Sequence, residues 1–138
     1  VNVGEIMSKH PVCVAPETDI VSAAVRMKDH ELGALPVCEK GRLVGIITDR
    51  DIVFRYLAGS SHDGRLVAHY MTRDPVTIGP GEPLGRAETL MSRRQIRCLP
   101  VCEQGRLVGM ITERDVTATR TSSYRRSSPK RPMELLQR

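Results

Sequence analysis

Tryptophan is absent from the 138 residues, phenylalanine occurs once and tyrosine three times. Packing must therefore come from Val, Ile, Leu, Met and Ala, and there are few aromatic platforms on which single-stranded nucleic acid could stack. No apolar run approaches the roughly 18 residues needed to span a bilayer. The opening stretch VNVGEIMSKH lacks the charge, apolar core and small-residue cleavage site of a secretory signal, so a cytoplasmic, membrane-free location is expected. No C-x-x-C pair occurs among Cys13, Cys38, Cys98 and Cys102. His10, His30, His62 and His69 show no ligand spacing and read as surface or loop residues, with His10 a candidate contact at a pocket mouth. No Ser, His and Asp constellation or converging carboxylate pair suggests catalysis, and the chain is not expected to be an enzyme.

The body of the chain also lacks a charge excess. Residues 1–119 carry 15 Lys and Arg against 15 Asp and Glu, whereas residues 120–138 carry 6 against 1, so the net charge of +5 sits in RTSSYRRSSPKRPMELLQR. Its Ser, Arg and Pro content fits a flexible basic tail. Two roles are open to it: an arm for a polyanion such as nucleic acid, or a solvated terminus that straps onto a partner subunit. Its end, MELLQR, could form one helical turn.

What the chain does have is a repeat. The 47 residues from Met7 align without a gap on the 47 from Met71, an offset of 64, with about 20 identities. The strongest match is GRLVGIITDRD, residues 41–51, over GRLVGMITERD, residues 105–115. Within each copy the hydrophobic period changes in a fixed order. PVCVAP alternates as a short strand. Thr18 or Asp19 can cap a helix whose apolar face is Ile20, Ala23, Ala24 and Met27, with Gly33 as its left-handed stop. ALPVC and RLVGIIT, separated by EKG, read as a hairpin, and Thr48 opens a second helix ending at Gly59. The expectation is an α/β fold of the α+β type: two β-α-β-β-α units, residues 5–64 (with a crossover) and 65–119, packed through their sheets, then the 120–138 tail. Cys38 and Cys102 are repeat equivalents; buried thiols on a sheet face are expected there in preference to a zinc site or a disulfide.

The repeated turn admits two readings. Thr48 with Asp51, and Thr112 with Asp115, have the spacing of a reciprocal helix cap, which needs no ligand. The same helix start carries unpaired N–H groups, a hydroxyl and a guanidinium, Arg50 or Arg114, which suits a phosphate, while the carboxylate one turn in could accept from both hydroxyls of a ribose.

On the M-[ST]-x-x-P-V starts at Met7 and Met71, the LPV strands at Leu35–Val37 and Leu99–Val101, and the paired GRLVG turns, residues 5–119 resemble a tandem pair of CBS domains, the Bateman module. The resemblance implies a regulatory, energy-sensing module that binds adenosine-containing ligands (AMP, ADP, ATP, NAD(H) or S-adenosylmethionine) between its repeats and signals to a partner or through self-association, with a homodimer as the expected assembly. It assigns ribose binding to Asp51 and Asp115 and phosphate binding to Thr48 and Thr112; Arg50 and Arg114, from their place at the helix start, and Arg97, from the difference between the copies, join them as phosphate candidates. It implies that Val12, Val14, Ala15, Leu32, Gly33 and Ala34 complete the Asp115 pocket. For the Asp51 pocket it implies Val76, Ile78, Gly79, Ile96 and Cys98, with Arg97 making that pocket the more cationic. Arg93 and Arg94 are either part of that character or a solvated helix end. No catalytic cofactor and no metal are expected. The competing readings are a nucleic-acid-interacting protein led by the basic tail and a dimerisation module with empty pockets.

Overall fold

The computed structural model describes residues 1–59 and 64–124, with side chains to residue 121. The elements are helix α1 (Val3–Ile6), strand β1 (Ser8–Lys9), helix α2 (Ile20–His30), strands β2 (Ala34–Glu39) and β3 (Arg42–Thr48), and a π-helix (Asp51–Leu57). A 3-10 turn (Val67–His69), strand β4 (Thr72–Arg73), helix α3 (Leu84–Arg94), strands β5 (Cys98–Glu103) and β6 (Arg106–Thr112) and helix α4 (Glu113–Tyr124) follow. His62 and residues 125–138 lie outside the described residues, and most of the basic tail with them. Residues 120–124, which composition groups with that tail, belong to α4. There Thr117, Thr119 and Thr121 donate hydroxyl hydrogen bonds to the carbonyls four residues back, and Arg120 pairs with Glu88 of α3.

The residues form two compact units whose boundaries differ from those of the repeats. One comprises Val12–Pro75. The other joins Val1–Pro11 to the chain from Val76 onward. The opening of each repeat is thus built into the unit that holds the body of the other.

In the Val12–Pro75 unit β2 and β3 form an antiparallel hairpin from Ala34↔Thr48 to Glu39↔Arg42, and β4 adds to β3 at Gly45↔Arg73 and Ile46↔Thr72. Lys40 and Gly41 at the hairpin tip have φ of 52° and 80°, the left-handed pair of the tight turn that matches strand twist. One face of the hairpin buries Leu35, Val37 and Ile47 against Ile20, Ala23 and Met27, the period-3.6 stripe of α2, together with Ile52, Val67 and Tyr70. In the other unit β5 and β6 repeat the hairpin register, β1 adds to β6 at Ser8↔Met110 and Lys9↔Gly109, and the core is Val3, Ile78, Ala87, Met91, Leu99, Val101, Ile111 and Val116.

The repeated glycine of GRLVG is explained by these short added strands. A Cβ on Gly45 would stand 2.8 Å from the carbonyl oxygen of Thr72 and 2.7 Å from Met71 Sδ. A Cβ on Gly109 would stand 2.8 Å from the carbonyl oxygen of Ser8 and closer still to Met7 Sδ. The central strand must lack a side chain there for the added strand to pair.

Two local expectations change and an open alternative is resolved. PVCVAP makes no extended strand; Val14 forms a single parallel bridge to Val37, as Ile78 does to Val101, because prolines flank the segment and supply no N–H to a ladder. The left-handed residue that ends α2 is Glu31, φ 56°, and in α3 Gln95, φ 54°. Gly33 lies beyond the helix, where its carbonyl accepts the N–H of Asp49 and a Cβ would sit 3.4 Å from Asp49 Oδ2. Of the two candidate caps for α2, Asp19 accepts from the Val21 N–H at 2.8 Å, while Thr18 Oγ1 accepts from the Ala15 N–H.

Candidate functional site

Both strand-to-helix turns close on themselves in the same way. Thr48 N–H donates to Asp51 Oδ2 at 2.9 Å and Asp51 N–H donates to Thr48 Oγ1 at 3.1 Å. Thr112 and Asp115 repeat both bonds at the same distances. The reciprocal cap predicted from spacing is therefore present, with Asp in the place usually held by Glu or Gln. It uses only part of each side chain's capacity. The hydroxyl oxygen accepts but its hydrogen stays available to donate, and the carboxylate commits Oδ2 while Oδ1 can accept further.

The residues before LPV are brought to the turn of their own repeat by the hairpin register. Ala34 pairs with Thr48 and Gly33 with Asp49; Cys98 pairs with Thr112, and the Arg97 carbonyl accepts the Glu113 N–H at 2.8 Å. Among the other candidates for a base pocket, Val14 and Ile78 are buried in the cores. Val12, Val76 and Ile96 pack against those cores from partly exposed positions, and Leu32 is exposed. A shallow depression of about 200 Å³ opens beside Ile78 and Gly79, bordered by Thr77, Leu90 and the Glu82–Arg86 ion pair at 3.9 Å. That volume is below the roughly 300–1,000 Å³ of a typical small-molecule pocket, so the depression alone does not enclose a nucleotide.

Around the turns the copies diverge. Arg50 lies over the ring of Phe54, 5.0 Å from its centroid, a cation–π contact. Arg55 Nη1 stands 3.6 Å from Asp51 Oδ1 and donates to the Tyr70 carbonyl at 2.9 Å. The matching positions in the second repeat are Ala118 and Thr119, and Thr119 instead donates to the backbone carbonyl of Asp115. Phe54 and Arg55 were not among the sequence candidates. The signal lay in their spacing, since each stands four residues after its partner, Arg50 or Asp51.

Among the described residues no three His, Cys, Asp or Glu side chains gather as a metal site, none of the four cysteines forms a disulfide, and Cys38 and Cys102, expected as buried thiols, are partly exposed, as are Cys13 and Cys98. Burial raises the Cys102 thiol pKa above its ordinary value. No helix among the described residues is long and apolar enough to cross a membrane.

Three comparisons agree with this geometry. The chain is 36% identical over 122 residues to the CBS domain-containing protein YhcV of Bacillus subtilis, covering 88% of this chain and 87% of that one. Among solved structures it is similar to the CBS domain pair of protein MJ0100 in complex with 5′-methylthioadenosine and S-adenosyl-L-methionine. That match has a TM-score of 0.81 and 30% identity, over 89% of this chain and 98% of the other. It is similar also to CBSX2 in complex with AMP, with a TM-score of 0.81 and 26% identity over 90% and 98%. The CBS domain profile matches twice, at residues 3–58 and 67–120, and the chain belongs to the CBS-domain family as a tandem pair.

Proposed function

We propose that the chain is a regulatory sensor of adenosine-containing nucleotides, AMP, ADP or ATP first, with NAD(H) and S-adenosylmethionine as further candidates. The observation that carries the reading is the identical Thr/Asp turn in both repeats, closed in a way that leaves a hydroxyl proton and a carboxylate oxygen for a ligand. Asp51 and Asp115 accept from the ribose hydroxyls. Thr48 and Thr112 donate to phosphate, assisted by Arg50, Arg114 and Arg97. Val12, Val76 and Ile96 give a base an apolar surface with exposed area to spare. That related CBS pairs are described in complex with AMP, or with 5′-methylthioadenosine and S-adenosyl-L-methionine, supports the ligand class.

The output is a change in affinity for a protein partner or for a second copy of the chain. A ligand shifts such an equilibrium only through its different affinity for the two states, so tight binding without state preference transmits nothing. Chemistry on the ligand is not part of the proposal.

Thermal-shift titration with AMP, ATP, NADH and S-adenosylmethionine tests the reading, with native mass spectrometry to count subunits and bound ligands. Asp51→Ala and Asp115→Ala also remove the carboxylate half of the reciprocal cap while the Thr hydroxyl half remains, a loss of about 1 kcal/mol of stability. Each variant's ligand-induced shift is therefore taken from its own ligand-free midpoint. A shift with at least one ligand, reduced in each single variant and abolished in the double, is the expected result. No shift with any of them, or undiminished shifts in the variants, rules the assignment out.

A further inference from the structure

We infer that Arg55 makes the two turns unequal receptors for a ribose diol, by facing the one Asp51 oxygen that the helix cap leaves uncommitted; the inference rests on the nucleotide reading above. Both aspartates give Oδ2 to one N–H of the cap, so Oδ1 is the oxygen with the larger acceptor capacity left for a diol. In the first repeat that oxygen has a guanidinium 3.6 Å away. The distance is an ion pair and not a hydrogen bond, so Oδ1 keeps its lone pairs but shares its charge with a cation beside it. The guanidinium does not swing freely, because the same Nη1 is held by the Tyr70 carbonyl at 2.9 Å, and Tyr70 is itself fixed by burial and by its hydroxyl, which donates to the Gly64 carbonyl. Asp51 is 15% exposed and Arg55 53%, so the pair is partly shielded and partly open to a ligand. In the second repeat the equivalent residue is Thr119, its hydroxyl is turned to the Asp115 backbone, and among the described residues no cation pairs with Asp115. Asp115 is thus the stronger acceptor for a diol, and Arg55 is a positioning residue that weakens the Asp51 turn.

Isothermal titration with AMP tests this, and 2′-deoxy-AMP serves as the probe that lacks the diol. Asp115→Ala leaves only the Asp51 turn and Asp51→Ala only the Asp115 turn. Arg55→Thr added to Asp115→Ala is expected to tighten AMP about 2- to 5-fold, the equivalent of an exposed ion pair, and to raise the preference for AMP over 2′-deoxy-AMP by a similar factor. Thr119→Arg added to Asp51→Ala is expected to weaken AMP by a similar factor. A merely structural role for Arg55 would not move the deoxy preference. Unchanged or weaker AMP binding with Arg55→Thr, or no loss with Thr119→Arg, overturns the inference while leaving the nucleotide reading intact. AMP binding that is absent, or indifferent to both aspartates, overturns both.

Discussion

Replacing Gly109 by alanine should open the edge of one sheet and destabilise the chain by about 1–3 kcal/mol, the usual cost of forcing an added carbon into a packed site. The new Cβ would lie 2.8 Å from the Ser8 carbonyl oxygen, a separation that real Cβ atoms essentially never show. A methionine end such as Met7 Sδ can swing aside. A backbone oxygen held in a strand cannot, so the Ser8↔Met110 and Lys9↔Gly109 pairs must part. At about 4 °C per kcal/mol for a chain of this size, the melting midpoint should fall by roughly 4–12 °C. With no tryptophan to report, circular dichroism at 222 nm during urea unfolding is the suitable assay, and an unchanged slope with denaturant would assign the loss to the folded state. Gly45→Ala, with Thr72 in the part of Ser8, should behave alike. Gly85→Ala in α3, where a Cβ meets nothing within 4 Å, should be neutral or stabilising by up to about 1 kcal/mol. If Gly109→Ala and Gly85→Ala changed stability by the same amount, close strand approach would not be the reason for the repeated glycine.

Glu31→Gly and Gln95→Gly should each stabilise by about 0.5–1 kcal/mol in urea unfolding, because both side chains carry the strain of a left-handed helix end. Asp19 has its carboxyl pKa lowered by the Val21 N–H first and by Arg65 second. Its folded value lies below the unfolded one, so its contribution is present above about pH 4 and fades as pH falls through the folded value. Asp19→Asn, which keeps a cap acceptor, should therefore flatten the acid limb of a stability-versus-pH curve, and an unaltered limb would contradict this. Burial raises the Cys102 thiol pKa, so iodoacetamide at pH 8 should modify Cys102 more slowly in the folded chain than in 8 M urea, as read by peptide mass mapping. Equal rates would argue against this partial burial of the thiol.

Much of the fold was legible because a duplicated pattern shows which periodicities matter. The stripe Ile20, Ala23, Met27, the LPV strands, the hairpin at Lys40 and Gly41 and the reciprocal Thr/Asp caps all follow from local spacing. What escaped depends on pairing across long stretches of chain. Ser8–Lys9 and Thr72–Arg73 are too short to announce themselves as strands, and their partners lie on β6 and β3. Gly33 looked like a helix stop because glycine enters the left-handed region easily, but the helix ended two residues earlier and spent strain on Glu31. The second helix of the first repeat winds as a π-helix while its counterpart is α-helical, a contrast for which the residues give no local signal. At the turns the paired Thr and Asp were readable, whereas the burial of Val14 and Ile78 and the engagement of Arg50 and Arg55 were not, since these depend on which neighbours the helix and strand bring near.

The exchange of opening segments between the units has a consequence for the order in which the chain can fold. The Val12–Pro75 unit contains all its strands once residue 75 has been made, so it can close early. The other must hold Val3 and Ser8 ready until Glu82 and Met110 exist to receive them, a closure across about a hundred residues, and non-local pairing of that kind slows folding. During synthesis residues 1–11 are thus made before the residues they pack on and are among the last to find their place. Until then the pairing edge of β6 opposite Ser8 and Lys9 stays open, and an open edge is a template for strand pairing with other chains.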